Sequence, residues 1–121
     1  MIPSGVQVFV ATAPVDMRYG FERLSGLVLE RIGYAARSGA LFVFAGRRRQ
    51  TLKILFFDGS GMCLFHKRLD RGTFIIPAPA TDGGTHLEID EATLETLLDG
   101  IPIAPVAGPP PPPSPRRRKL H

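Results

Sequence analysis

The side chains with most to offer chemically are cationic, and they are bunched. Arg47, Arg48 and Arg49 stand together in a Gly-Arg-Arg-Arg-Gln segment, and Lys53, Lys67, Arg68 and Arg71 follow soon after. Clustered guanidinium and ammonium groups release counterions from a nucleic-acid backbone, and an arginine can also fork onto a guanine edge. Three adjacent arginines at a tight connection repel one another and favour an anion. The same run also reads as a solvated turn, and composition leaves both readings open.

Other constellations have simpler explanations. Cys63 and His66 have a Cys-x-x-His spacing, but residues three apart on one strand face opposite ways and no second cysteine completes a zinc site. A buried free thiol is the preferred reading. Asp16, Asp58 and Asp70 are the carboxylates a metal-dependent nuclease or strand-transfer site would use. Asp16 also suits a helix N-cap, Asp58 a glycine turn and Asp70 a strand end beside basic neighbours. The chain has no glycine-rich phosphate loop, nucleophile elbow or His-Glu-x-x-His pattern. No catalytic residue, metal site or cofactor is therefore assigned.

The net charge of +4 is unevenly placed along the 121 residues. Arg18, Arg23, Arg31 and Arg37 against Asp16, Glu22 and Glu30 leave the first third at +1. The seven cations from Arg47 to Arg71 against Asp58 and Asp70 give the middle +5, and the six carboxylates from Asp82 to Asp99 give −6. Residues 1–101 are thus neutral but polarised, and Arg116, Arg117, Arg118 and Lys119 supply the formal excess. Apolar residues at 44% and charged residues at 21% fit one ordinary globular core. With Cys63 alone no intrachain disulfide forms, and the N-terminus lacks a basic leader or a span-length apolar run. A soluble cytoplasmic protein is the expectation.

These charges need elements to position them. Val6 to Ala11 alternates like a strand that Pro14 ends. Met17, Phe21, Leu24, Val28 and Ile32 recur at helical spacing, with Asp16 as N-cap and Gly33 as stop, although Gly20 moves the expected start toward residue 20. Ala40 to Ala45 and Leu52 to Asp58 read as strands joined by the arginine tip. After the Asp58-Gly59-Ser60-Gly61 turn, Met62 to Leu69 and Thr73 to Ile76 read as two more. His86 to Ile89 alternates like a short strand, and Asp90 caps a helix carrying Leu94, Leu97, Leu98 and Ile101. From Pro102 on, eight prolines in fourteen residues favour polyproline II and a disordered basic arm. The expected fold is an α+β domain over residues 1–101, an antiparallel β meander packed with two helices, followed by a disordered Pro-rich tail over 102–121.

Ala11 to Arg18, Gly20-Phe21, Leu24 and Ser38 to Phe44 together resemble the second-frame accessory protein, often labelled TnpB, of the sixty-six family of bacterial insertion sequences. Arg47-Arg48, Lys53, Leu55, Asp58-Gly59, Gly61, Lys67-Arg68-Leu69 and Gly72-x-Phe74-x-x-Pro77 continue the pattern in order over roughly residues 6 to 101. The sequence departs from it at Tyr19, where a basic residue is common, and at Phe56-Phe57, where tryptophan is common. The resemblance implies an accessory role beside a separate transposase, with no known active site.

The sequence reading is therefore a non-catalytic accessory of DNA transposition. Its expected partners are transposon-end DNA and the transposase of the same element. Arg18, Arg47, Arg48, Arg49, Lys53, Lys67, Arg68 and Arg71 are the candidate nucleic-acid-binding residues. The rivals are a metal-dependent nuclease and an adaptor acting through its Pro-rich tail. Because the arm has no apolar periodicity, deleting residues 105–121 is expected to leave thermal melting nearly unchanged by circular dichroism. A large loss of stability would show that the arm packs on the domain.

Overall fold

The computed structural model describes residues 5–78 and 83–100, so Ile101 and the expected disordered tail lie outside the described residues. The architecture is α+β, as the sequence indicates. A five-stranded sheet is built from β1 (Val8–Ala11), β2 (Leu41–Ala45), β3 (Thr51–Phe57), β4 (Met62–Arg68) and β5 (His86–Ile89), in the order β4-β3-β2-β1-β5. Two helices, α1 (Phe21–Leu27) and α2 (Glu91–Leu98), accompany it.

The strands β2, β3 and β4 form the expected antiparallel meander, with Phe42 opposite Leu55 and Lys53 opposite His66. The sheet as a whole is mixed. The first strand lies between β2 and β5, parallel to the former and antiparallel to the latter. A parallel pair needs a crossover, and the chain from residue 12 to 40, containing α1, supplies it. Strands covered on both faces read as continuous apolar runs, and every residue of β1 and β2 is buried.

On one face Phe9, Phe42, Phe44 and Leu55 pack with Leu24, Leu27, Val28 and Ile32. On the other, Val8, Val10, Val43 and Leu52 pack with Phe74, Leu94 and Leu97. Leu24 and Leu94 are fully buried. Truncating either to alanine removes about 2–5 kcal/mol from a core of this kind.

Local chemistry explains where the elements begin and end. Helix α1 starts at Phe21 after Gly20, and its last turn widens into a π-helical segment, Val28–Ile32, in which Gly33 N–H reaches the Val28 carbonyl. Gly33 then stops it at φ +80°, a left-handed conformation that glycine adopts without a Cβ penalty. Phe21, expected on the buried stripe, is 47% exposed, and Leu27 is buried instead. Asp90 caps α2 as expected, accepting the Thr93 N–H at 2.8 Å. Such a cap stabilises a helix by about 1 kcal/mol.

Two expectations are corrected. Asp16 is not the cap of α1, because the chain makes a separate turn over residues 16–19 before the helix starts. Thr73 to Ile76 adds no strand. It crosses the α2 face with Phe74 buried and Ile75 exposed, an alternation that imitates a strand because the segment lies flat on a core.

Gly46, at the end of β2, is a point of close approach: a Cβ there would lie 2.9 Å from both Met17 Cγ and Thr51 Oγ1. Gly46→Ala is expected to cost about 1–3 kcal/mol through this overpacking, measured as a lowered melting temperature. Wild-type melting would mean that Met17 and Thr51 yield freely.

Candidate nucleic-acid interface

One pole of the sheet gathers the end of β2, the start of β3 and the end of β4, where Thr51 stands opposite Arg68. The tip between β2 and β3 is held by main-chain bonds. Gly46 N–H donates to the Thr51 carbonyl at 3.1 Å, Arg49 N–H to the Gly46 carbonyl at 3.0 Å, and Phe74 N–H to the Arg49 carbonyl at 2.6 Å. Arg49 has a φ of 57°, uncommon for a residue with a Cβ. Its side chain is half-buried, whereas Arg47 and Arg48 are exposed.

The turn before α1 is tied to the same pole. Val15 N–H donates to the Ala45 carbonyl at 2.9 Å, and Tyr19 N–H to the Asp16 carbonyl at 3.0 Å. Between them Asp16 accepts the Arg18 backbone N–H at 2.9 Å and grips the Arg18 guanidinium, with Nη2 at 2.7 Å from Oδ2 and Nε at 3.0 Å from Oδ1. The Arg18 guanidinium holds the Asp16 carboxyl well below the usual range, helped by the Arg18 backbone N–H and by the charge of Arg47.

Arg47, Arg48 and Arg68 converge with Asp16, Met17 and Thr51 around an open groove of about 420 Å³. Arg71 is exposed on the connection that follows β4. Arg18 is exposed and paired with Asp16.

Two predicted contacts are placed elsewhere. Lys53 is only 8% exposed, on the α1 face of β3, and its Nζ donates to the Tyr19 carbonyl at 2.9 Å. A buried ammonium is costly unless it is hydrogen-bonded, and this bond makes Lys53 an internal tie rather than an outward cation. Lys67 points to the opposite face and donates to the Leu98 carbonyl at 2.9 Å, at the C-terminus of α2, where a cation is favoured. The strand period of two separates it from neighbouring Arg68. Asp16 is the groove residue that the sequence reading assigned elsewhere. The Asp-x-Arg spacing was its available signal, because a short carboxylate bonds readily to the main chain two residues on.

The other carboxylates do not join it. Asp58 lies just beyond the far end of β3 from the groove. There it accepts N–H bonds from Ser60 and Gly61, each at 2.9 Å, as the turn reading required. Among the described residues no group of three or more His, Cys, Asp or Glu is placed to hold a metal ion. Cys63 is half-buried rather than fully buried, on the edge strand β4.

A second, larger cavity of about 660 Å³ lies toward that far end, between α2 and the sheet. It is lined mainly by apolar side chains, including Ile54, Phe56, Phe65 and Leu98, with Asp58 and Glu95 among them. Among the described residues no helix is long and apolar enough to cross a membrane.

Fold and surface together define a small α+β domain with an open basic groove at one sheet pole. The family model of IS66 Orf2-like proteins matches residues 6–107, and the chain belongs to this family of accessory proteins associated with insertion-sequence transposition. It is 47% identical over 103 residues to the uncharacterized protein y4hO of Sinorhizobium fredii, covering 84% of this chain and 87% of that one. A second protein of that organism, uncharacterized y4jC, is 40% identical over 90 residues, covering 74% and 76% respectively. No solved structure matches the chain.

The turn bonds of Asp58, led by the Ser60 backbone N–H, lower its carboxyl from the ordinary 3.8 to about 2. A carboxyl with a lowered folded-state pKa contributes stability above its unfolded pKa and loses that contribution as pH falls through the folded value. Stability is therefore expected to decline as pH drops from about 4 to about 2, and Asp58→Asn should flatten that decline in acid-melting curves. An unchanged profile would show that the turn bonds do not discriminate between the two protonation states.

Proposed function

We propose that this protein is a non-catalytic cytoplasmic accessory that binds transposon-end DNA through its basic pole and also engages the transposase of the same element. One observation carries the DNA reading: Arg47 and Arg48 from a hairpin tip and Arg68 from a neighbouring strand end line a single open groove. Side chains from separate elements that converge in this way suit contact with the phosphates of a nucleic-acid backbone. Arg49 and Arg71 flank the same footprint, whereas Lys53 and Lys67 support it from within.

The apolar cavity beside α2 favours the transposase contact. Its aromatic lining and the carboxylates Asp58 and Glu95 suit an apolar segment with basic flanks. Asp16 and Asp58 have structural duties, and purified protein is expected to leave DNA uncut with magnesium or manganese.

The decisive measurement is a salt series by fluorescence anisotropy on a labelled duplex. With about five phosphate contacts, affinity should fall roughly 500-fold between about 50 and 200 mM salt, at a log-log slope near −0.9 per contact. Changing Arg47, Arg48 and Arg68 together to alanine should flatten the slope by about three contacts and leave melting nearly unchanged. A folded triple variant with the wild-type slope would move the interface elsewhere. Absence of wild-type binding at the low-salt end of the series would leave the transposase contact as the function.

A further inference from the structure

We infer that Arg18, held by Asp16, reads a guanine in the major groove of the duplex that the basic pole binds; the inference rests on the DNA-binding reading above. The Arg18 side chain is 90% exposed, and a pair this open to water adds little to stability. Asp16 also lowers the positive charge of a groove built from arginines, so the pair does not serve phosphate affinity. What it does provide is orientation.

Of the five guanidinium N–H donors, Nε–H and one on Nη2 are engaged by the carboxylate. The edge formed by Nη1 and the outer side of Nη2 keeps two parallel donors facing outward, the fork that matches guanine O6 and N7. A free arginine forms this fork only by losing side-chain entropy on binding, and the Asp16 contact biases Arg18 toward that orientation beforehand.

The backbone that carries the pair is tied to the domain. The turn is bonded to the sheet at Val15, and Lys53 Nζ holds the Tyr19 carbonyl from inside the domain. The Arg23 guanidinium lies 4.9 Å from the centre of the Tyr19 ring, adding a cation–π contact behind the turn. Arg47 and Arg48 line the groove with Asp16 and stand beside the turn to take the flanking phosphates. Phosphate contacts set register and an oriented fork reads a base, so the two kinds of arginine divide the work.

The test begins with the full-length protein and a pool of duplexes carrying a randomised centre. Duplexes retained by the wild type are sequenced, and each enriched guanine is replaced by 7-deazaguanine, which pairs normally but lacks the N7 acceptor. One guanine, or a symmetric pair, is expected to lose roughly tenfold or more in affinity on replacement. Arg18→Ala, which removes the donors, should bind the guanine and deazaguanine duplexes alike, and Asp16→Asn, which releases the fork, should narrow the gap between them. Asp16→Asn should bind the unselected pool as tightly as the wild type or more tightly, since a carboxylate has left the basic groove. A merely structural pair would instead weaken both duplexes equally or lower the melting temperature. Retained discrimination in Arg18→Ala would overturn the inference, as would pool binding by the wild type with no enriched guanine, and both would leave the basic interface standing. Failure of the wild type to bind the pool even at low salt would remove the DNA reading and the inference together.

Discussion

The rest of the domain follows from the need to bury β1 and β2 on both faces. Their residues include no polar side chain, so both surfaces of the sheet centre must be kept from water. The crossover between them covers one face with α1, while the chain after β5 covers the other with α2, joined by Phe74. Both covers are short, and most of their stabilisation comes from tertiary packing rather than from helix propensity.

A sheet covered in this way has little room for charge except at its two ends and along its edges. The loops at one end carry Arg47, Arg48 and Arg68, and α2 and its C-terminal end carry Glu91, Glu95 and Asp99. Two lysines that sit inside this framework are used differently. Lys53 satisfies the Tyr19 carbonyl within the α1 layer, and Lys67 satisfies the last turn of α2. Each cation bonds a main-chain acceptor, before α1 in one case and at the end of α2 in the other.

The backbone of the basic pole is tied to the same framework. The hairpin tip is pinned by Phe74 and by its own cross-strand bonds, and the turn over residues 16–19 is tied to the end of β2 and to β3. Recognition groups mounted on such supports lose less entropy on binding than groups on a free loop. The packing that excludes water from the sheet centre therefore also sets the geometry of the arginines.

Much of this was determined by the sequence alone. Local chemistry identified the arginine hairpin between two apolar runs, the Asp58 turn, the Asp90 cap, the Gly33 stop and both helices, because each depends on residues close together in the chain. Family membership was legible in the motifs from Asp16-Met17-Arg18 to Gly72. Tertiary structure decided the central, parallel place of β1, since strand order depends on contacts between distant residues that periodicity does not encode. It also decided the fates of Lys53, Lys67 and Asp16. All three belong to charged runs that look alike in sequence. Strand pleat and the position of the neighbouring layer turned Lys53 inward and Lys67 toward α2, and left Arg68 at the groove, while the turn before α1 brought Asp16 there beside Arg18.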